Sequence, residues 1–130
     1  MDEEIIFLDT SVLIDYFRKT KKENSFLYQL SKTYTRFAVS IITKFEILIG
    51  SNESQQGFWD DFFERVEVVN YTEQENHKAI EIHKKLKTTG QLIGFADLLI
   101  GATALSQGVK IATLNESHFS RIDGLEILSK

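Results

Sequence analysis

The stretch IIFLDTSVLIDYF, residues 5–17, joins a short apolar run to a charged residue and then to a helical pattern. Residues 4–8 predict a buried strand, because an apolar run is bounded by polar residues. Residues 10–18 carry apolar side chains at helical spacing, so we expect a helix there with Thr10 or Asp9 as its N-cap. The pattern leaves three roles open for Asp9: a helix cap, a turn-stabilising residue, or a metal-binding or nucleophilic acid at a strand end.

The same alternation of strand and helix continues along the chain. Further strands are predicted at residues 36–40, 66–70, 110–114 and 125–128. Further helices are predicted at residues 24–33, 41–49, 58–66, 72–87 and 94–106. Strands that alternate with helices predict an α/β fold with a central, mainly parallel sheet flanked by helices. No linker-like tract interrupts the pattern, so we expect a single domain over residues 1–130.

Composition narrows the class of protein. The absence of cysteine excludes disulfides and thiolate metal sites. No apolar run approaches the length of a membrane span, and no signal-peptide pattern opens the chain, so we expect a cytoplasmic protein without a membrane partner. The net charge of −4 argues against a general polyanion binder, but it does not exclude an enzyme that acts on nucleic acid through bound divalent cations.

Three acids lie in apolar surroundings: Asp9 at the strand end, Glu46 within ITKFEILIG, and Asp97 within GFADLLIGATAL. Each has a structural interpretation, as a helix cap or an exposed residue on an amphipathic helix. Together they favour a shared divalent cation, since no basic residues accompany them and carboxylates are rarely buried unpaired. Carboxylate ligands suit Mg²⁺ or Mn²⁺ rather than zinc.

Other chemistries lack their motifs. The chain has no phosphate-binding P-loop, no dinucleotide-binding glycine pattern and no nucleophile elbow. His77 and His83 are spaced wrongly for a metal pair on one helix face, and His118 is isolated in the sequence. We interpret all three histidines as surface or packing residues.

Four blocks of the chain, in order, resemble the PIN domain family, and in particular the small VapC-type toxins of toxin–antitoxin pairs. The blocks are FLDTSVLIDYF, SIITKFEILIG, IGFADLLIGATALSQG and KIATLNESHFSRIDGLEI. The resemblance implies a PIN-like fold and an Mg²⁺- or Mn²⁺-dependent endoribonuclease that hydrolyses RNA phosphodiester bonds. It implies that Asp9, Glu46 and Asp97 are the catalytic residues and the metal ligands.

The resemblance also implies auxiliary residues. Thr10, Ser11 and Thr43 are expected to orient the carboxylates, although they serve equally well as helix caps and turn formers. Asn115 stands where many relatives have a fourth acid, and Glu116 follows it.

The expected partners are an RNA substrate, a cognate antitoxin protein and a second copy of the chain in a homodimer. An aromatic-rich helix with Phe58, Trp59, Phe62 and Phe63 suggests an apolar groove for partners, although these residues could equally fill the core. Candidate contacts to the RNA backbone are Lys19, Lys21, Lys22 and Lys44.

Alternatives remain at this point. A phosphatase of the haloacid dehalogenase type would need a second Asp where Ser11 stands. A PIN fold that serves only as a binding module, and a nuclease that acts on DNA, are both compatible with Asn115.

Overall fold

Five parallel strands form one sheet in the structure, a computed structural model that describes residues 3–130. The strands are β1 (Ile5–Leu8), β2 (Arg36–Ser40), β3 (Glu67–Val69), β4 (Lys110–Ala112) and β5 (Ile127–Leu128). They lie in the order β3-β2-β1-β4-β5. The predicted α/β class with a parallel sheet is confirmed. The first two residues of the predicted domain, 1–2, lie outside the described range.

Helices cover both faces of the sheet. They are α1 (Thr10–Arg18), α2 (Phe26–Ser31), α3 (Ile41–Gly50), α4 (Glu53–Arg65), α5 (Glu73–Thr88), α6 (Phe95–Gln107) and α7 (Glu116–Phe119). A 3₁₀ turn at Lys22–Asn24 links α1 to α2. Helix α7 was not expected from the sequence.

The alternating side chains of β1 divide the interior into two cores. Ile6 and Leu8 pack into the first core with α1, α2 and α4, whereas Phe7 packs into the second core with α5, α6 and α7. Helix α3 contributes to both, through Ile47 and Ile42 respectively. Because strand side chains alternate between faces, this central strand is buried on both sides and holds its carboxyl end in a fixed position.

The aromatic helix α4 packs into the first core, and its Gln55 and Trp59 also line a cleft of about 290 Å³ with Phe17 of α1. Trp59, Phe62 and Phe63 are each less than a tenth exposed, and Phe17 of α1 packs against Phe58 with ring centroids 5.1 Å apart. Trp59, Phe62 and Phe63 fill the first core, as the alternative interpretation expected, and a partner-binding role for this helix stays a prediction.

The chain changes direction across the sheet at β1. It first winds outward through β2 and β3, and it returns on the other side of β1 to form β4 and β5. The carboxyl ends of β1 and β4 thus flank the point where the strand order reverses, which is where open parallel sheets form their ligand sites.

Candidate active site

Asp9 follows the last residue of β1 and is the N-cap of α1. Its Oδ1 accepts hydrogen bonds from the Val12 backbone N–H, at 3.3 Å, and from Ser11 Oγ, at 2.6 Å. The helix-cap interpretation is therefore correct. The cap uses one carboxylate oxygen and orients the other toward the neighbouring strand β4.

Thr113, directly after β4, forms a hydrogen bond with the second carboxylate oxygen of Asp9. Its hydroxyl donates to Asp9 Oδ2 at 2.7 Å and accepts the Asn115 backbone N–H at 2.8 Å. Ser11 makes a parallel link, since its Oγ accepts the Leu114 N–H at 3.0 Å. These bonds hold the loop after β4 against the start of α1.

Glu46 reaches the same edge from α3. Its Oε1 accepts the hydroxyl hydrogen of Thr10 at 2.7 Å, and Thr10 Oγ1 lies 3.1 Å from Thr43 Oγ1. Thr43 is fully buried, so the α3 turn beneath Glu46 is fixed. The hydrogen bond from Thr10 to Glu46 supports the expected role of Thr10 in orienting this carboxylate.

Asp97 lies in the first turn of α6 and meets the loop after β4. His118 Nδ1 is 2.7 Å from Asp97 Oδ2, and Asn115 Nδ2 is 3.3 Å from the same oxygen. The interpretation of His118 as an isolated residue is wrong, because α7 turns its ring back onto Asp97. The signal in the sequence was the Asn-x-x-His spacing of one helical turn directly after a strand end.

Burial and charge act together on Asp9. The side chain is 3 % exposed. Burial raises the pKa of Asp9 above its ordinary value, and the nearby charge of Asp97 adds to the rise, while the hydrogen bonds from Ser11, Thr113 and Val12 oppose it. An anion in this environment is stabilised by a cation.

Cationic side chains do not supply that partner. Within residues 3–130, no Lys or Arg forms a salt bridge with any of the three acids, and the one charged-group contact is that of His118 with Asp97. Oxygen donors without basic neighbours fit a hard divalent cation such as Mg²⁺ or Mn²⁺.

The three carboxylates share the carboxyl edge without forming one ligand group. In the part of the chain that the structure describes, no three His, Asp or Glu side chains are arranged to hold a single ion. The expectation of three carboxylates already close enough to share an ion is not met. Each accepts hydrogen bonds from separate neighbours instead, and like charges without a cation repel.

Glu116 does not join the site. Its side chain is exposed at the start of α7, and within residues 3–130 it makes none of the hydrogen bonds that link the acids. Thr113 and His118, by contrast, contact the acids directly and were missing from the predicted set.

Two of the proposed RNA-binding lysines are engaged elsewhere. Lys22 Nζ donates to the backbone oxygens of Tyr16, Phe17 and Lys19 at 2.7–2.9 Å. Lys19 itself forms a salt bridge with Asp15 at 3.6 Å. Lys22 therefore serves the end of α1 rather than a substrate.

Comparisons with known proteins assign the family. The PIN domain model matches residues 6–125. Ribonuclease VapC1 of Methanocaldococcus jannaschii is 37% identical over 132 aligned residues, which cover 99% of this chain and 90% of the relative. The tRNA(fMet)-specific endonuclease VapC of Shigella flexneri is 27% identical, with 91% and 92% covered.

Solved structures that resemble this chain agree with the family assignment. The chain superimposes on a DNA-bound VapBC structure from Salmonella typhimurium with a TM-score of 0.86 and 26% identity, covering 97% of this chain and 98% of that one. A VapBC-1 structure from nontypeable Haemophilus influenzae gives 0.82 and 29%, with 96% and 97% covered. The chain belongs to the PIN domain family, and the relatives named above include VapC ribonucleases. No helix formed by residues 3–130 has the length and apolar character needed to cross a bilayer.

Proposed function

We propose that this protein is a divalent-metal-dependent endoribonuclease and the toxin of a toxin–antitoxin pair. The observation that carries the proposal is the edge of the sheet itself, where Asp9, Glu46 and Asp97 lie on neighbouring elements and, within residues 3–130, none of them forms a salt bridge with Lys or Arg. The ribonuclease names of the VapC relatives support RNA as the substrate.

Asp9, Glu46 and Asp97 are the residues that would hold the cation. When bound, a divalent cation neutralises charge on the scissile phosphate and lowers the pKa of a coordinated water. The chain contributes fixed acceptors to this chemistry. Ser11 and Thr113 hold both oxygens of Asp9, and Thr10 holds Glu46, so these carboxylates lose little conformational freedom on binding.

The experiment is a cleavage assay on purified protein with structured and single-stranded RNA, in Mg²⁺, in Mn²⁺ and in excess chelator. We expect cleavage in either metal and none in chelator. Asp97→Asn, which keeps the shape of the side chain, should lower the rate by orders of magnitude. A parent protein that binds RNA without cutting it in any metal would instead support the binding-module alternative. Single-stranded DNA in the same assay tests the DNA-nuclease alternative.

The partners follow from the same comparisons. The solved neighbours are VapBC toxin–antitoxin complexes, so we propose that a cognate antitoxin binds this chain and that the toxin forms a homodimer. Co-expression with a small DNA-binding protein encoded beside this chain tests the first point. Stable copurification in a fixed ratio, with loss of RNA cleavage, is the expected result.

A further inference from the structure

His118 contacts an acid at the carboxyl edge through a ring nitrogen. Its ring lies on α7, and its Nδ1 is 2.7 Å from Asp97 Oδ2. A carboxylate only accepts hydrogen bonds, so the hydrogen of this short contact belongs to Nδ1.

Asn115 lies beside the same pair. Its Nδ2 lies 2.9 Å from His118 Nδ1 and 3.3 Å from Asp97 Oδ2. Because Nδ1 uses its hydrogen on Asp97, the amide hydrogen of Asn115 is directed to the carboxylate as well. Two donors from the loop after β4 thus converge on one oxygen.

The other oxygen of Asp97 stays open. Among residues 3–130, the hydrogen bonds to the Asp97 side chain fall on Oδ2. A carboxylate whose one oxygen is fixed by a histidine N–H presents the second oxygen in a defined direction. Groups that orient metal ligands in this way affect metal affinity or activity by about 10–100-fold.

The packing of α7 makes the pair rigid. Phe119, next to His118, is fully buried in the second core, and Ile122 is only 2 % exposed. Gly101 of α6 lies beneath them, and a Cβ placed there would be 2.5 Å from Ile122 Cδ1. The close approach of α6 and α7 brings Asp97 and His118 together, and the His118 side chain remains 41% exposed.

We propose that His118 is a positioning residue for the nuclease reaction: its Nδ1–H holds Asp97 Oδ2 in place and leaves the other carboxylate oxygen available to a cation. The inference rests on the proposed function, since it assigns His118 a role at that same site. His118 contacts neither substrate nor reacting atoms in this role, and it acts through Asp97.

Paired isosteres of histidine test the role. In His118→Asn the side-chain amide nitrogen falls near the position of Nδ1, whereas in His118→Gln it falls near that of Nε2. His118→Ala removes both. His77→Ala is the matched control, because His77 is exposed on α5 and away from the acids.

Calorimetric titration with Mn²⁺ is the first readout, and kcat and KM on a defined RNA are the second. We expect His118→Ala to weaken Mn²⁺ binding by about tenfold and to lower kcat by at least as much, with KM little changed. His118→Asn should recover most of both losses, and His118→Gln should recover less. His77→Ala should match the parent, and thermal unfolding of each variant checks that the fold is intact.

The outcomes separate the inference from the function. Unchanged Mn²⁺ affinity and kcat in His118→Ala, with an active parent, overturn the positioning role alone, and so does equal recovery by Asn and Gln. A parent that binds Mn²⁺ but does not cleave RNA overturns the proposed function, while the affinity series still decides the role of His118. A parent that binds no Mn²⁺ overturns both. If His118→Ala fails to fold, the comparison of Asn with Gln decides alone.

Discussion

The burial of Asp9 makes the free energy of unfolding depend on pH. Burial raises the pKa of Asp9 in the folded state above its ordinary value of 3.8. Between the ordinary and the raised value, the folded protein binds more protons than the unfolded chain. The free energy of unfolding of the metal-free protein therefore falls as the pH rises through that window, and it stays lower at neutral pH.

Asp9→Asn should consequently raise the melting temperature of the metal-free protein at pH 7. Asn is an equally good N-cap, so the start of α1 is preserved. The gain should shrink as the pH falls and vanish below 3.8, where the parent carboxyl becomes protonated in both states. Thermal unfolding in chelator across this pH range measures it. A variant that is less stable than the parent at every pH would show that the carboxylate is not penalised by burial.

Asn115 gives a second prediction at this scale. Asn115→Asp should tighten Mg²⁺ binding, because a fourth carboxylate adds attraction for a dication in a partly desolvated pocket. Asn115→Ala should reduce cleavage less than Asp97→Asn does, since a neutral amide contributes no charge. Metal titration and cleavage rates at fixed salt check both. If Asn115→Ala is as inactive as Asp97→Asn while folded, Asn115 is itself a primary site residue.

Individual site residues were predictable where a strand end carried them. Asp9 and Asn115 each follow an apolar run, so the carboxyl-edge rule located them. His118 could not be found that way, because its contact with Asp97 joins residues 21 positions apart through a four-residue helix. So short a helix carries too little periodicity to recognise in a sequence.

At the scale of elements, a lysine side chain caps the C-terminal end of α1. The Lys22 ammonium donates to three backbone oxygens and lies 5.1 Å from the centroid of the Tyr16 ring. The C-terminal end of a helix leaves carbonyl groups without intrahelical donors. A cation there also interacts favourably with the negative end of the helix dipole. This cap fixes the end of the helix whose beginning holds Asp9.

Lys22→Met should therefore destabilise the protein, because methionine keeps the apolar stem and removes the donor. Hydrogen bonds to charged groups contribute about 1.5–3 kcal/mol, so a loss of that order is expected. Denaturant unfolding measures the loss, with Lys21→Met as the control at an exposed neighbouring position. RNA binding should not change in Lys22→Met beyond the effect of lower stability, since its ammonium already has partners.

The sequence predicted the boundaries of some elements closely and those of others poorly. Strands β1 and β2 match the predicted ranges within one residue, because their apolar runs have sharp polar limits. Helix α4 begins at Glu53, five residues before the predicted start at 58, because its first turn is polar. A reciprocal capping box between Asn52 and Gln55 starts the helix there, and that spacing was visible in the sequence.

At the scale of the whole molecule, an apolar patch lies beside the site. Phe95 is 71% exposed and Ile80 is 46% exposed, and they line a cleft of about 220 Å³ with Tyr71, Leu98 and Leu99. Phe95 is two residues from Asp97, so a second copy bound there would border the carboxyl edge of the sheet. Exposed apolar patches of this kind mark interaction sites.

Phe95→Glu should shift the proposed homodimer toward monomer, because it would bury a charge in the interface. Light scattering after size-exclusion chromatography at several concentrations measures the shift. Tyr28→Glu is the control, since Tyr28 is also exposed but belongs to α2 on the opposite face of the sheet. Equal dimer stability in both variants would place the interface elsewhere.

The hydrogen bond between Asp9 and Thr113 spans 104 positions of the chain, and β1 pairs with β4 beside it. A ribosome synthesises Asp9 104 residues before Thr113. Until β4 has emerged, Asp9 lacks both its neighbouring strand and the donor for its second oxygen. The carboxyl edge is therefore incomplete until β4 has been synthesised, and a message truncated before residue 110 yields a product without the contact between Asp9 and Thr113.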